Sequence, residues 1–223
     1  IVDIDGAALA PLLARTIDDI DIVVFSDYDK GVLTDAERVV EQVTGKGKPL
    51  LVDPKFKPLH SYRGATLVKP NRVELEHAIG RWSTETEMVS LCQRLCNEME
   101  FDSLLVTLSS GGMTLIREGL EEVHFPARMR EVYDVSGAGD TVLATLAAAL
   151  ASGETLIDAI GLANIAAGIA VSHFGITSVS GPELRLEVAN EQSYSRGAMS
   201  SEHLAIAVEE ARSRGQKIVF TNG

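Results

Sequence analysis

Tyr133-Asp134-Val135-Ser136-Gly137-Ala138-Gly139-Asp140-Thr141 is the stretch on which the reading of this chain turns. An extended, partly apolar lead-in, Glu131 to Val135, runs into Gly-Ala-Gly and then into a long segment rich in alanine and leucine that reads as a helix. A chain that enters a helix through glycines makes an anion site. Backbone N–H groups face outward, the helix dipole favours negative charge, and glycine lets phosphate oxygens come close. An aspartate in the first turn repels such an anion unless it takes a proton from a neighbouring group. The pairing therefore points to phosphoryl transfer onto a hydroxyl, with Asp140 as the base. The plain alternative is a tight helix entry with Ser136 as N-cap and Asp140 offsetting the dipole. A dinucleotide fingerprint is disfavoured, because Val142 stands where it needs a glycine, and no Gly-Lys-Ser/Thr follows to make a Walker-type loop.

Outward from this stretch, the pattern alternates short apolar runs with amphipathic segments. Ile1-Val2-Asp3-Ile4 reads as a strand already under way, and residues 6–17 as a helix. Strands are expected at Ile20–Ser26, Leu50–Val52, Thr66–Val68 and Ser103–Leu108. Thr34, with Glu37 three residues on, caps a helix running to Gly45. Asn71 caps a helix from Arg72 to Ile79, and another covers Thr84 to Met99. Met113–Arg117 and Glu121–Phe125 form a hairpin around Glu118-Gly119. Helices follow at Ala138–Ala151 and Thr155–His173, and Pro182 begins a short one. A polar linker is expected from Glu191 to Gly197, then a helix from Ser201 to Arg214 and a strand from Lys217. This order predicts an α/β fold with a mainly parallel central sheet, whose ligands bind at the carboxyl ends of the strands. Polar clusters fall at those ends: Asp27/Asp29/Lys30, Asp53/Lys55, Lys69/Asn71/Glu74 and Ser109 to Gly112.

Composition narrows the partners. The 223 residues suffice for one sizeable domain, or a domain with a short appendage. A formal net charge of −12 argues against nucleic acid or an anionic membrane as the main partner. The most apolar region, Thr141 to Gly175, is broken by Gly153-Glu154 and carries Asp158, Asn164 and His173, so it reads as two buried helices and not a membrane span. Cys92 and Cys96 share one helix face and read as buried thiols, which fits a reducing, cytoplasmic setting.

Asp134-Val135-Ser136-Gly137-Ala138-Gly139-Asp140 resembles the D-T-x-G-A-G-D signature of the ribokinase-like (PfkB) carbohydrate kinases, with two differences in the lead-in that leave the glycines and the aspartate untouched. The resemblance implies a three-layer ribokinase-like fold, incomplete at the N-terminus. It also implies that Asp140 is the catalytic base and that the amides of Gly137, Ala138 and Gly139 form the anion hole. Lys69-Pro70-Asn71-Arg72-Val73-Glu74 resembles the family's (K/T)-P-N-x-x-E motif. By that likeness Lys69 bridges the phosphates of ATP, Asn71 with Arg72 and Val73 helps place the nucleotide, and Glu74 organises a hydrated Mg2+. On its residues alone the same motif is also an N-capped helix with an exposed glutamate. Val106 to Gly112 resembles the family's nucleotide-lining strand and turn, which brings in Ser109 and Gly112. Asn164 falls where the family packs a helix beside the adenine, although a polar residue on a small-residue helix face accounts for it equally.

Four further stretches, Ser26–Gly31, Asp53–Lys55, Tyr62–Thr66 and Glu131–Val135, are similar to the heptose 7-phosphate kinase branch, commonly the front half of a bifunctional enzyme that makes ADP-heptose for the lipopolysaccharide core. Arg214–Gly223 resembles the linker and first strand of the partner adenylyltransferase domain. The resemblance thus implies a kinase portion at 1–190, a linker helix and truncated adenylyltransferase strand at 191–223, and an interior piece of a longer protein. The implied reaction is ATP-dependent phosphorylation of D-glycero-D-manno-heptose 7-phosphate at its anomeric hydroxyl by a protein that is a homodimer at full length. Two alternatives stay open: a non-catalytic nucleotide-binding fragment, and a kinase for another sugar.

Overall fold

Leu50-Leu51-Val52 and Leu104-Leu105-Val106 have no polar residue on either face, the mark of strands covered by helices on both sides. The computed structural model describes residues 9–128 apart from 29, 32, 34 and 56, residues 134–175 and 177–195, and the isolated positions 208, 212, 217 and 219. It divides into two compact units, Ile1–Ser178 and Val179–Gly223.

In the first unit six strands form one sheet in the order β1 (Val23–Ser26), β2 (Leu50–Asp53), β3 (Leu67–Val68), β4 (Ser103–Thr107), β5 (Met113–Ile116) and β6 (Val123–Phe125). β1 to β4 are mutually parallel, with Val23 opposite Leu50, Leu51 opposite Leu67 and Leu67 opposite Ser103. β4, β5 and β6 are antiparallel neighbours, as the hairpin pattern predicts. Side chains alternate across the sheet and enter two separate cores. Leu50, Val52, Val68, Leu104 and Val106 join one, built with α1 (Leu9–Thr16), α2 (Ala36–Thr44), α3 (Arg72–Ile79) and α4 (Glu85–Met99). Leu51, Leu67, Leu105 and Leu115 join the other, covered by α5 (Ala138–Ala151) and α6 (Leu156–Val171). The result is the expected three-layer α/β arrangement. Each fully buried leucine contributes about 1.5–3 kcal/mol, so losing either face would unfold the sheet.

The helix ends follow local chemistry. Asn71 and Glu74 close a full capping box on α3. Thr84 caps α4 and Thr155 caps α6. Cys92 and Cys96 are free and buried in the first core, and burial pushes both thiols up to about 12. No helix among the described residues is long and apolar enough to cross a membrane.

The second unit holds α7 (Gly181–Ser195), whose start is boxed by Ser180 and Glu183. Here one expectation needs correction. The stretch from Glu191 reads as a linker because it is polar, yet α7 continues to Ser195, because Glu191-Gln192-Ser193-Tyr194-Ser195 contains no glycine or proline to stop a helix. The expected strand at 1–4, the Thr34 cap and the lead-in at 131–133 lie outside the described residues. The final helix and strand do so too, except for Val208 and Arg212, which are helical, and Lys217 and Val219, which are not.

Candidate active site

Because β1 to β4 run parallel, their carboxyl ends share one edge of the sheet, and the polar clusters that follow them are brought together there. Asp27 and Tyr28 follow β1, Asp53 ends β2, Lys69 follows β3, and a lone bridge from Asn71 to Thr107 prolongs the β3–β4 pairing toward the site. α5 begins at the same edge. Its N-cap is Gly137 at φ +77°, a left-handed conformation that glycine adopts without steric cost, and no side chain caps the helix. The Ser136 hydroxyl is therefore not the cap; instead the Ser136 N–H donates to Asp134 Oδ1 at 2.8 Å, which holds the Asp134 carboxyl below its usual range. The Ala138 N–H donates to Val135 and the Thr141 N–H to Gly137, leaving the Gly139 and Asp140 N–H groups as the open donors of the first turn among the described residues.

Lys69 and Gly139 meet at this helix end. A Cβ placed on Gly139 would lie 3.3 Å from Lys69 Nζ and 4.0 Å from Asp53 Oδ2. Lys69 Nζ donates to Asp53 Oδ1 at 2.9 Å, with both side chains almost wholly buried. Burial raises the Asp53 pKa, and the pull of Lys69 in the opposite direction does not cancel it. A cation is thus fixed beside a helix start that has open N–H donors. Asp140 stands on the exposed side of the same turn, its Oδ2 accepting a 2.7 Å hydrogen bond from the Tyr28 hydroxyl.

Glu74 is buried at the start of α3. Its Oε2 accepts the Asn71 N–H at 2.8 Å, and its Oε1 lies 3.3 Å from Lys55 Nζ. Burial alone would lower the Lys55 pKa, but Glu74 and Asp53 outweigh it and raise the value. Asp53 also feels the charge of Glu74, which places two carboxylates within electrostatic reach of each other. No group of three or more His, Cys, Asp or Glu among the described residues forms a ready-made metal cage. That donor set fits Mg2+, which keeps several waters and takes one or two carboxylates plus substrate phosphates.

The remaining expected residues divide. Gly112 (φ +82°) is pressed against the chain after β6, where a Cβ would sit 2.1 Å from the Phe125 carbonyl oxygen. Asn164 is buried on α6 and donates from Nδ2 to the Pro126 carbonyl at 3.0 Å. Gly112 and Asn164 therefore meet around Pro126, and Ser109 opens the adjoining turn at φ +52°. Two residues are not drawn toward Lys69 and Glu74. Arg72 pairs with Glu76 at 2.9 Å and lies over Trp82, while the Val73 side chain is exposed. Tyr28, Asp53 and Lys55 carry contacts that the sequence did not assign, although Asp53 and Lys55 form a polar strand-end cluster marked there and Tyr28 lies between the members of another. A second buried anchor at this edge joins Asp27 to Tyr62 at 2.5 Å and Lys57 at 2.9 Å.

Comparison with known proteins agrees with this geometry. Residues 3–183 match the model of the pfkB family carbohydrate kinases. The chain is 49% identical over 219 residues to the Bifunctional protein HldE of Pseudomonas paraeruginosa, covering 98% of this chain and 46% of that protein. It is 51% identical over 201 residues to the Bifunctional protein HldE of Hahella chejuensis, covering 90% and 42%. The chain thus spans less than half the length of these relatives. Among solved structures, phosphofructokinase-2 from Escherichia coli in complex with potassium shares the fold at TM-score 0.69 and 18% identity, over 81% of this chain and 61% of that one. Ribokinase from Arabidopsis thaliana, complexed with ribose and ATP, does so at 0.63 and 22%, over 69% and 51%. With a family model spanning most of the first unit and an aspartate at the glycine-led start of α5, the chain belongs to the pfkB family of carbohydrate kinases.

Proposed function

We propose that this chain carries the phosphoryl-transfer part of a kinase that uses ATP and Mg2+ to phosphorylate D-glycero-D-manno-heptose 7-phosphate at the anomeric hydroxyl, giving the 1,7-bisphosphate on the route to ADP-heptose and the lipopolysaccharide core. One observation carries the chemistry: Asp140, whose Oδ1 has no hydrogen-bond partner among the described residues, stands one residue from Gly139, where a Cβ would lie 3.3 Å from Lys69 Nζ. Base and phosphate cation are thereby set side by side. The choice of heptose rests on the likeness of Ser26–Gly31, Asp53–Lys55 and Tyr62–Thr66 to the heptose 7-phosphate kinase branch.

In this reading Asp140 takes the proton of the sugar hydroxyl as its oxygen attacks the γ-phosphorus and ADP departs. The amides of Gly137 and Gly139 and the Lys69 ammonium hold the charge that develops on the transferred group, while the Ala138 amide, expected to join them, is taken by the Val135 carbonyl. Glu74, with Asp53 behind it, would hold hydrated Mg2+, which supplies further neutralisation of the phosphate charge when bound. Asn71 fixes Glu74, and Ser109, Gly112 and Asn164 shape the nucleotide side. Residues 1–190 form the C-terminal part of the kinase domain and 191–223 lead into an adenylyltransferase domain, in a cytoplasmic protein that pairs as a homodimer.

The test is a phosphorylation assay on the intact gene product, with 31P NMR following the new phosphate across heptose 7-phosphate and a panel of hexose and pentose phosphates. The highest kcat/KM is expected for heptose 7-phosphate. A higher value for another sugar overturns the substrate, and Mg-ATP binding without turnover on any sugar overturns the kinase reading.

A further inference from the structure

Tyr28 and Asp140 are 112 positions apart, yet the Tyr28 hydroxyl donates to Asp140 Oδ2 at 2.7 Å. Asp140 is exposed in the first turn of α5. A carboxylate side chain has more than one staggered well open to it, and a hydrogen bond that holds it in one of them fixes where its other oxygen points. Two cations lie over the Tyr28 ring, Lys55 Nζ at 5.5 Å and Lys30 Nζ at 5.8 Å from its centroid. Lys55 is in turn fixed by Glu74. A chain of contacts therefore runs from the Glu74 carboxylate through Lys55 and Tyr28 to the base.

We propose that Tyr28 is the positioning residue of the catalytic base: by occupying Asp140 Oδ2 it leaves Oδ1 as the single oxygen free to take the substrate proton and holds it in a productive orientation. This rests on the reading of Asp140 given above. The proton passes from the sugar hydroxyl to Oδ1 while the new O–P bond forms and the bond to ADP breaks. Tyr28 keeps its own proton throughout. The Asp140 carboxylate, through this hydrogen bond, raises the tyrosine pKa above its ordinary value of 10.0, so the phenol remains a donor across the working range.

The experiment is a double-mutant cycle on the intact gene product with Tyr28→Phe, Asp140→Asn and the pair, reading kcat, the KM for ATP and the dissociation constant for Mg-ATP. Tyr28→Phe should lower kcat roughly tenfold, the low end for a hydrogen bond to a charged group at a half-exposed site, with ATP affinity unchanged. In the Asp140→Asn background the same change should lower kcat by less than about twofold, because contacting residues that act as a unit are not additive. Unchanged ATP affinity also reports that the variants are folded. Wild-type kcat in Tyr28→Phe, or an equal loss in both backgrounds, overturns the positioning role while leaving Asp140 as the base. Wild-type kcat in Asp140→Asn overturns both.

Discussion

Replacing Lys69 with methionine removes the cation from the buried pair with Asp53 at nearly constant volume. At 2.9 Å and an effective dielectric constant near 20, the pair attracts by about 6 kcal/mol. Part of this only offsets the cost of desolvating both ions, and breaking one partner of such a pair costs about 3–5 kcal/mol. The loss has a ceiling, because Asp53 can take up a proton. From an ordinary carboxylate value of 3.8, that costs about 4 kcal/mol at pH 7 and about 1.4 kcal/mol less for each unit the pH falls.

The sign follows from linkage. Burial already raises the folded-state pKa of Asp53, and without Lys69 it rises further. The folded variant then holds this proton more tightly than the unfolded chain. Its contribution is fully present below the unfolded value and is lost as pH rises through the folded one. The destabilisation of Lys69→Met relative to wild type is therefore expected at about 3–4 kcal/mol at pH 7 and under about 2 kcal/mol at pH 5. Urea unfolding of this chain, followed through Trp82, the one tryptophan in the sequence, measures it. A difference under about 1 kcal/mol at pH 7, or one that does not change between pH 7 and 5, would refute the reasoning.

Two other perturbations test the packing around the site. Gly112→Ala combines a positive φ with a Cβ clash against the Phe125 carbonyl, and should destabilise the chain by at least about 3 kcal/mol in the same unfolding assay. Cys92 and Cys96, buried and with pKa values pushed up to about 12, should resist a thiol reagent at pH 8 in the folded protein and both react on unfolding, which quantitative labelling and mass spectrometry would show.

Local chemistry made much of this legible. The glycines, the aspartate and the alanine run predict α5 at its observed bounds. Asn71 predicts the N-cap of α3, although the capping box that Glu74 completes, and the burial of that glutamate, were not read from the sequence. The double-sided apolar runs at 50–52 and 104–106 predict strands with helices on both faces. Contacts between elements were hidden. Asp53 and Lys69 meet because β2 and β3 are parallel neighbours, and Tyr28 reaches Asp140 only because α5 returns across β1 and β2. Tyr28 lies between Asp27 and Asp29 of a marked strand-end cluster, but nothing in the sequence singled it out or named its partner. At the other end of the chain, polarity alone suggested a linker where helix propensity carried α7 on to Ser195.

The central claim, that Asp140 is the base of a sugar kinase, is tested most directly by the turnover of Asp140→Asn in the intact gene product with heptose 7-phosphate and Mg-ATP. A loss of roughly 10²–10⁴-fold in kcat, with Mg-ATP binding retained, is the predicted result; turnover close to wild type would contradict it.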